Sequence, residues 1–193
     1  QDFFILRDEP TDWLSKFGGS AWAPFGDTGK YYLHLYDVTQ ADLNWRNPNV
    51  RQELFKVVNF WRDKGVKGFR FDVINVIGKD EVLTDCPEQE GKPAYTDKPI
   101  VHDYLRMMNE ATFGQDDSVM TVGEMSATTI ENCILYTAPD RQELSMAFNF
   151  HHLKVDYEAG QKWTLKAFDF EELKRLFHTW GKEMSDHDGW SAL

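Results

Sequence analysis

The chain has 193 residues, 41% of them hydrophobic and 15% aromatic, enough apolar material to bury a globular core. Its 21 basic and 32 acidic residues give a net charge of −11, which repels phosphate backbones and argues against general nucleic-acid binding. No apolar run approaches a membrane span, no signal peptide opens the chain, and Cys86 and Cys133 lack metal-ligand spacing. The simplest expectation is a cytoplasmic protein with reduced thiols.

Residues 1–45 are rich in aromatics, Gly and Asp and show no sustained helical period, so loops and one short strand at Tyr31–Tyr36 are expected. The cluster Trp13, Trp22, Tyr31 and Tyr32 suits either sugar stacking or the small core of a minor domain, and the core is the default. Asn47-Pro48 starts a helix with a stripe at Val50, Leu54, Val57, Val58 and Trp61, stopped by Gly65. A strand over 66–72 follows, ending Gly68-Phe69-Arg70-Phe71-Asp72. Residues two apart in a strand share a face, so Arg70 lies beside Asp72, where its charge favours the ionised carboxylate.

After a polar excursion from Lys79 to Lys98, Val101, Tyr104, Leu105 and Met108 form a second helical stripe closed by Gly114. A strand over 119–124 ends on Glu124, a helix runs from Thr128 to Tyr136, and a third strand covers Leu144–Asn149. The last helix has Asp169 as cap and Glu172 at capping-box spacing, with Phe170, Leu173, Leu176, Phe177 and Trp180 on its buried face. Alternating strands and helices predict an α/β protein with a parallel sheet and right-handed crossovers. Ligands then belong at the carboxyl ends of the strands, where Asp72, Glu124 and Asn149-Phe150-His151-His152 fall. A single strand-end acid is ordinarily a cap or a solvated loop residue; two on successive strands suggest a glycosidase pair.

Gly68-Phe69-Arg70-Phe71-Asp72-Val73-Ile74-Asn75 resembles the fourth-strand motif of the α-amylase family of glycoside hydrolases, and Val122-Gly123-Glu124-Met125 resembles its fifth-strand motif. Gln40-Ala41-Asp42-Leu43-Asn44 is similar to the Gln-Pro-Asp-Leu-Asn marker of the oligo-1,6-glucosidase branch, with Ala in place of Pro. Asn149 to Tyr157 and Lys162-Trp163-Thr164-Leu165 resemble the members that cleave a phosphorylated disaccharide, trehalose 6-phosphate. The resemblance implies part of a (β/α)8 TIM barrel, around its fourth to sixth strands with their helices. Residues 1–45 would be the tail of the inserted domain B, and residues 46–193 the central part of the catalytic barrel.

It further implies Asp72 as nucleophile, Glu124 as general acid/base and Arg70 as the group that orients the nucleophile and keeps it ionised. Val73 would occupy the position that distinguishes linkages and points away from ordinary α-1,4 glucosidases. His151, His152, Lys154 and Lys162 are candidate substrate-binding residues. The histidines are preferred as hydrogen-bonding pocket residues over metal ligands, and the lysines are open between phosphate binding and plain solvation.

The family's third-strand Asp-x-x-x-x-His group and its seventh-strand Asn-His-Asp sequence, with the third carboxylate, are not in these 193 residues. The chain is therefore expected to be an internal piece of a larger enzyme, inactive by itself and self-associating through uncovered barrel edges. No cofactor or metal is expected here; a calcium loop would lie upstream in the parent. The expected partner is a small phosphorylated disaccharide, with neither nucleic acid nor membrane. An oligo-1,6-glucosidase or dextran glucosidase acting on neutral isomalto-oligosaccharides is the alternative activity, and a non-catalytic barrel scaffold the second alternative.

Overall fold

A computed structural model describes residues 2–192. The chain forms two compact units, Gln1–Trp61 with Val76–Tyr104, and Arg62–Asn75 with Leu105–Leu193.

The first unit contains an antiparallel sheet of three short strands, β1 (Leu6–Arg7), β2 (Trp22–Pro24) and β3 (Tyr31–Leu33), in the order β1-β3-β2. Only the third was legible beforehand, because two- and three-residue strands have no room for alternation. Trp13 and Trp22 are buried with ring centroids 6.4 Å apart, and Tyr95 meets Trp13 at 5.7 Å. The indole N–H groups donate to Thr84 O and Thr11 Oγ1, both at 2.9 Å. Trp13 and Trp22 thus form a small core, closed from the polar excursion by Tyr95, whose hydroxyl pKa burial pushes up to about 12, while Tyr31 and Tyr32 are half-buried.

The Gln40–Asn44 marker is also structural. Asp42 accepts the Leu35 N–H at 2.8 Å and the buried Lys79 ammonium at 2.6 Å, and its backbone N–H donates to Leu33 O. Leu43 bridges Phe4 in antiparallel fashion.

Helix α1 (Pro48–Asp63) begins as its sequence dictates: Asn47 Oδ1 accepts the Asn49 N–H at 2.9 Å, with Pro at the first helical position. Gly65 ends it at φ +91°, a conformation that a side chain resists. Val50 and Val58 are buried, whereas Val57 and Trp61 are more than half exposed, so only part of the expected stripe is covered. Helix α2 (Ile100–Ala111) buries Val101, Tyr104, Leu105 and Met108 as expected.

The second unit is built on a parallel sheet, β4 (Gly68–Phe71), β5 (Met120–Glu124) and β6 (Met146–Phe148), in that order. Registers Arg70↔Val122↔Met146 and Phe71↔Gly123↔Ala147 align the three strands. Phe69 and Phe71 stack on one face, and Phe71 meets the buried Phe113. The opposite face carries Arg70, Val122, Glu124 and Phe148. Ala147 also bridges Ser191, with Ala192 N–H donating to Ala147 O at 2.8 Å, so a further parallel segment begins after the last helix. The three residues Trp190, Ser191 and Ala192 are too few to read as a strand from sequence.

Helix α3 (Ile130–Thr137) is capped by Thr129, which accepts the Asn132 N–H. Helix α4 (Phe170–Asp186) is capped by Asp169, which accepts the Glu172 N–H at 2.9 Å. The reciprocal half of the capping box does not form, because the Glu172 carboxylate turns to Arg175 at 2.6 and 2.7 Å. The expected buried face of α4 is corrected too. Trp180 and Met184 are buried, while Phe170 and Phe177 are 60% and 43% exposed.

Candidate active site

In a parallel sheet, side chains in register point the same way, so continuing β4 by one residue sets Asp72 level with Glu124 and Phe148. Arg70 sits one rung below and reaches up. Its guanidinium donates to Asp72 Oδ1 at 2.9 Å and to Glu124 Oε2, and lies 5.6 Å from the Phe148 ring centroid. The expected cation is thus shared between both acids instead of serving Asp72 alone.

The two carboxyl groups have unlike surroundings. The Asp72 side chain is 73% exposed and the Glu124 side chain 11%. Burial raises the pKa of Glu124; Arg70 opposes this, and a hydrogen bond donated to the Asp72 carboxylate, with that carboxylate's charge, raises it further. A raised carboxyl pKa on the buried acid favours the protonated form that a general acid needs. Both carboxyl groups lie within reach of the one guanidinium, the close placement that a retaining pair requires.

Val73 follows Asp72 at φ +42°, a strained conformation for a β-branched residue and one that turns the chain sharply away from the sheet. Asn75, fully buried, lies two residues further on and grips the backbone of Ser126: its Nδ2 donates to Ser126 O at 2.8 Å, and its Oδ1 accepts the Ser126 N–H at 2.9 Å. Sequence reasoning did not single out Asn75. The available signal was a lone amide inside the apolar run Val73-Ile74-Asn75-Val76-Ile77.

His151 Nε2–H donates to Thr128 O at 2.8 Å and its ring stacks on Trp180, so this ring is engaged in holding the segment after β5. His152 stacks on Phe177, and its buried Nδ1 has no hydrogen-bond partner among the described residues. Lys154 ends the 3-10 turn His151–Lys154 and is exposed, as is Lys162. Trp163 beside it is 98% exposed. Strand ends bring Arg70, Asp72 and Glu124 together; no contact joins Lys154 or Lys162 to them among the described residues. No group of three or more His, Cys, Asp or Glu among those residues is arranged to hold a metal ion.

Three parallel strands with crossover helices between them, the first two leading into acids at their carboxyl ends, define an arc of a (β/α)8 barrel of the glycosidase kind. Residues 1–193 match the family description "Alpha amylase, catalytic domain", and the chain belongs to that family. The trehalose-6-phosphate hydrolase of Bacillus subtilis (strain 168) is 52% identical over all of this chain and 35% of its own length. An oligo-1,6-glucosidase of Parageobacillus thermoglucosidasius is 43% identical over all of the chain and 36% of its own length. The crystal structure of Bacillus licheniformis trehalose-6-phosphate hydrolase superposes with a TM-score of 0.94 at 52% identity, over 98% of this chain and 35% of that one. The chain therefore spans about a third of the length of the proteins it matches. No helix among the described residues is long and apolar enough to cross a membrane.

Proposed function

We propose that the full-length protein containing this chain hydrolyses trehalose 6-phosphate to glucose and glucose 6-phosphate with retention of configuration. The observation that carries the chemistry is the shared Arg70 guanidinium with two carboxyl groups of opposite exposure, one exposed on Asp72 and one buried on Glu124. An Asp72 carboxylate oxygen attacks the anomeric carbon of the unphosphorylated glucose. The bond from that carbon to the bridging oxygen breaks, Glu124 delivers its proton to that oxygen, and glucose 6-phosphate leaves. Water then attacks the same carbon, Glu124 takes up the water's proton, and the bond to Asp72 breaks to release glucose.

The substrate reading rests on the higher identity to a trehalose-6-phosphate hydrolase than to an oligo-1,6-glucosidase, 52% against 43% over the whole chain. Lys154, exposed beyond β6, is the favoured point charge for the phosphate, with Lys162 second; His151, His152 and Val73 complete the proposed substrate-binding set. In this reading residues 1–45 end an inserted domain and residues 46–193 belong to the barrel.

The test is kcat/KM of the full-length protein on trehalose 6-phosphate and on isomaltose. The proposal expects the phosphorylated sugar to be preferred, and Lys154→Ala to lower kcat/KM by about tenfold or more for that sugar alone, the worth of one charge-assisted contact. Preference for isomaltose, unchanged by Lys154→Ala, would assign the neutral-sugar activity instead. The 193-residue chain alone is proposed to be inactive and to self-associate through its uncovered barrel edges; a dilution-resistant monomer in sedimentation would refute the second point.

A further inference from the structure

Two sharp turns flank the paired acids. After Asp72, Val73 adopts φ +42°; after Glu124, the chain runs through Met125 and Ser126 to Ala127 at φ +50°. Left-handed backbone costs a non-glycine residue roughly 1–2 kcal/mol, so neither turn keeps its shape without outside support. For the second turn that support has three parts. Met125 N–H donates to Phe148 O at 2.9 Å, Thr128 O accepts from His151, and Ser126, between them, has both backbone groups bonded to the Asn75 carboxamide.

Besides the strand pairing and the Arg70 guanidinium, the Asn75 carboxamide joins the segment carrying Asp72 to the segment carrying Glu124 through two hydrogen bonds. A carboxamide offers a donor and an acceptor in one plane, which matches a backbone C=O and N–H as a neighbouring strand would. Its full burial keeps competing water away from both bonds, so losing either is costly.

We propose that Asn75 is a positioning residue for the glycosidic reaction: by clamping Ser126 it extends the β4–β5 register past the sheet and fixes the Glu124 carboxyl against that of Asp72. The inference rests on the proposed roles of those two acids. Without the clamp, the turn after Glu124 loosens, its carboxyl gains water, and the proton it must deliver is no longer held in line with the scissile bond.

The experiment compares wild type with Asn75→Ala and the isosteric Asn75→Asp in the full-length protein. Both turnover of trehalose 6-phosphate and the titration of 13C-labelled Glu124, assigned with Glu124→Gln, are followed. Asn75→Ala is expected to lower kcat about 100-fold with KM changed less than about threefold, the cost of roughly 1 Å of misplacement. The Glu124 titration and the alkaline limb of kcat should both move to lower pH, because hydration relieves the burial that raises it. Asn75→Asp keeps the acceptor for Ser126 N–H and loses only the donor, so its kcat should fall between the two; it also serves if the alanine variant does not fold.

A kcat within threefold of wild type, or a Glu124 titration that does not move in a folded Asn75→Ala variant, overturns the proposal. The titration needs no substrate. A wild-type protein that fails to cleave the sugar while its Glu124 titration shifts on Asn75→Ala would remove the assigned reaction and keep the clamp.

Discussion

Glu143 offers a measurable test of how the sheet-bearing unit is held together. Its side chain is fully buried, and one oxygen, Oε1, accepts from Arg106 and from Arg141, each at 3.0 Å. Glu143→Ala takes one charged acceptor away from each guanidinium group. Two lost charge-assisted hydrogen bonds would cost about 3–6 kcal/mol if neither arginine were rehydrated. The Arg106 and Arg141 side chains are 40% and 30% exposed, so water recovers part of that. A net loss of about 2–4 kcal/mol is expected, within the range for breaking a buried pair from one side. The assay is urea unfolding of the full-length protein, comparing Glu143→Ala with Arg106→Ala, Arg141→Ala and the double variants. Non-additive cycles with coupling above about 0.5 kcal/mol are expected, since all three side chains meet at one atom. A loss under about 1 kcal/mol with additive cycles would refute the reasoning.

Glu124 sets a pH dependence with a defined sign. Its carboxyl pKa is raised, chiefly by burial, so activity that needs its proton falls as pH rises through that raised value. The same shift means that the stability tied to the protonated form is complete below the ordinary carboxyl range and is lost as pH rises through the raised value. Glu124→Gln should lower kcat/KM on trehalose 6-phosphate by about 10²–10⁴-fold and abolish that alkaline limb, measured from pH 5 to 9. A limb that persists in the variant would assign the proton to another group. In the other unit, Lys79→Met leaves the largely covered Asp42 carboxylate, 14% exposed, with its Leu35 N–H bond, and should cost about 3 kcal/mol in urea unfolding. The double variant Lys79→Met with Asp42→Asn should regain much of that loss, and failure to do so would show that the pair does not act as a unit.

Helices and parallel strands were legible because their signals are local. Asn47-Pro48, Gly65 and Asp169 act within one turn of chain, and period alone located α1, α2 and the strand cores. The pairing of Asp72 with Glu124 was legible for a related reason: strand-end acids in a parallel sheet share a face once the register is set. The rest depended on contacts far apart in sequence. Nothing near Asn75 announces that its partner is Ser126, 51 residues away, and nothing near Arg70 says that its guanidinium divides between two acids. Phe170 and Phe177 mark the limit of periodicity, which locates an apolar stripe and leaves open how much of it is covered.

The central claim is that Asp72 forms the covalent bond. Incubating the full-length protein with 5-fluoro-α-glucosyl fluoride, whose glucosyl-enzyme turns over slowly, and sequencing the modified peptide by mass spectrometry tests it directly. One 5-fluoroglucosyl adduct is expected, on Asp72, absent from Asp72→Asn. An adduct on another carboxylate, or hydrolysis of trehalose 6-phosphate that survives Asp72→Asn, would contradict it.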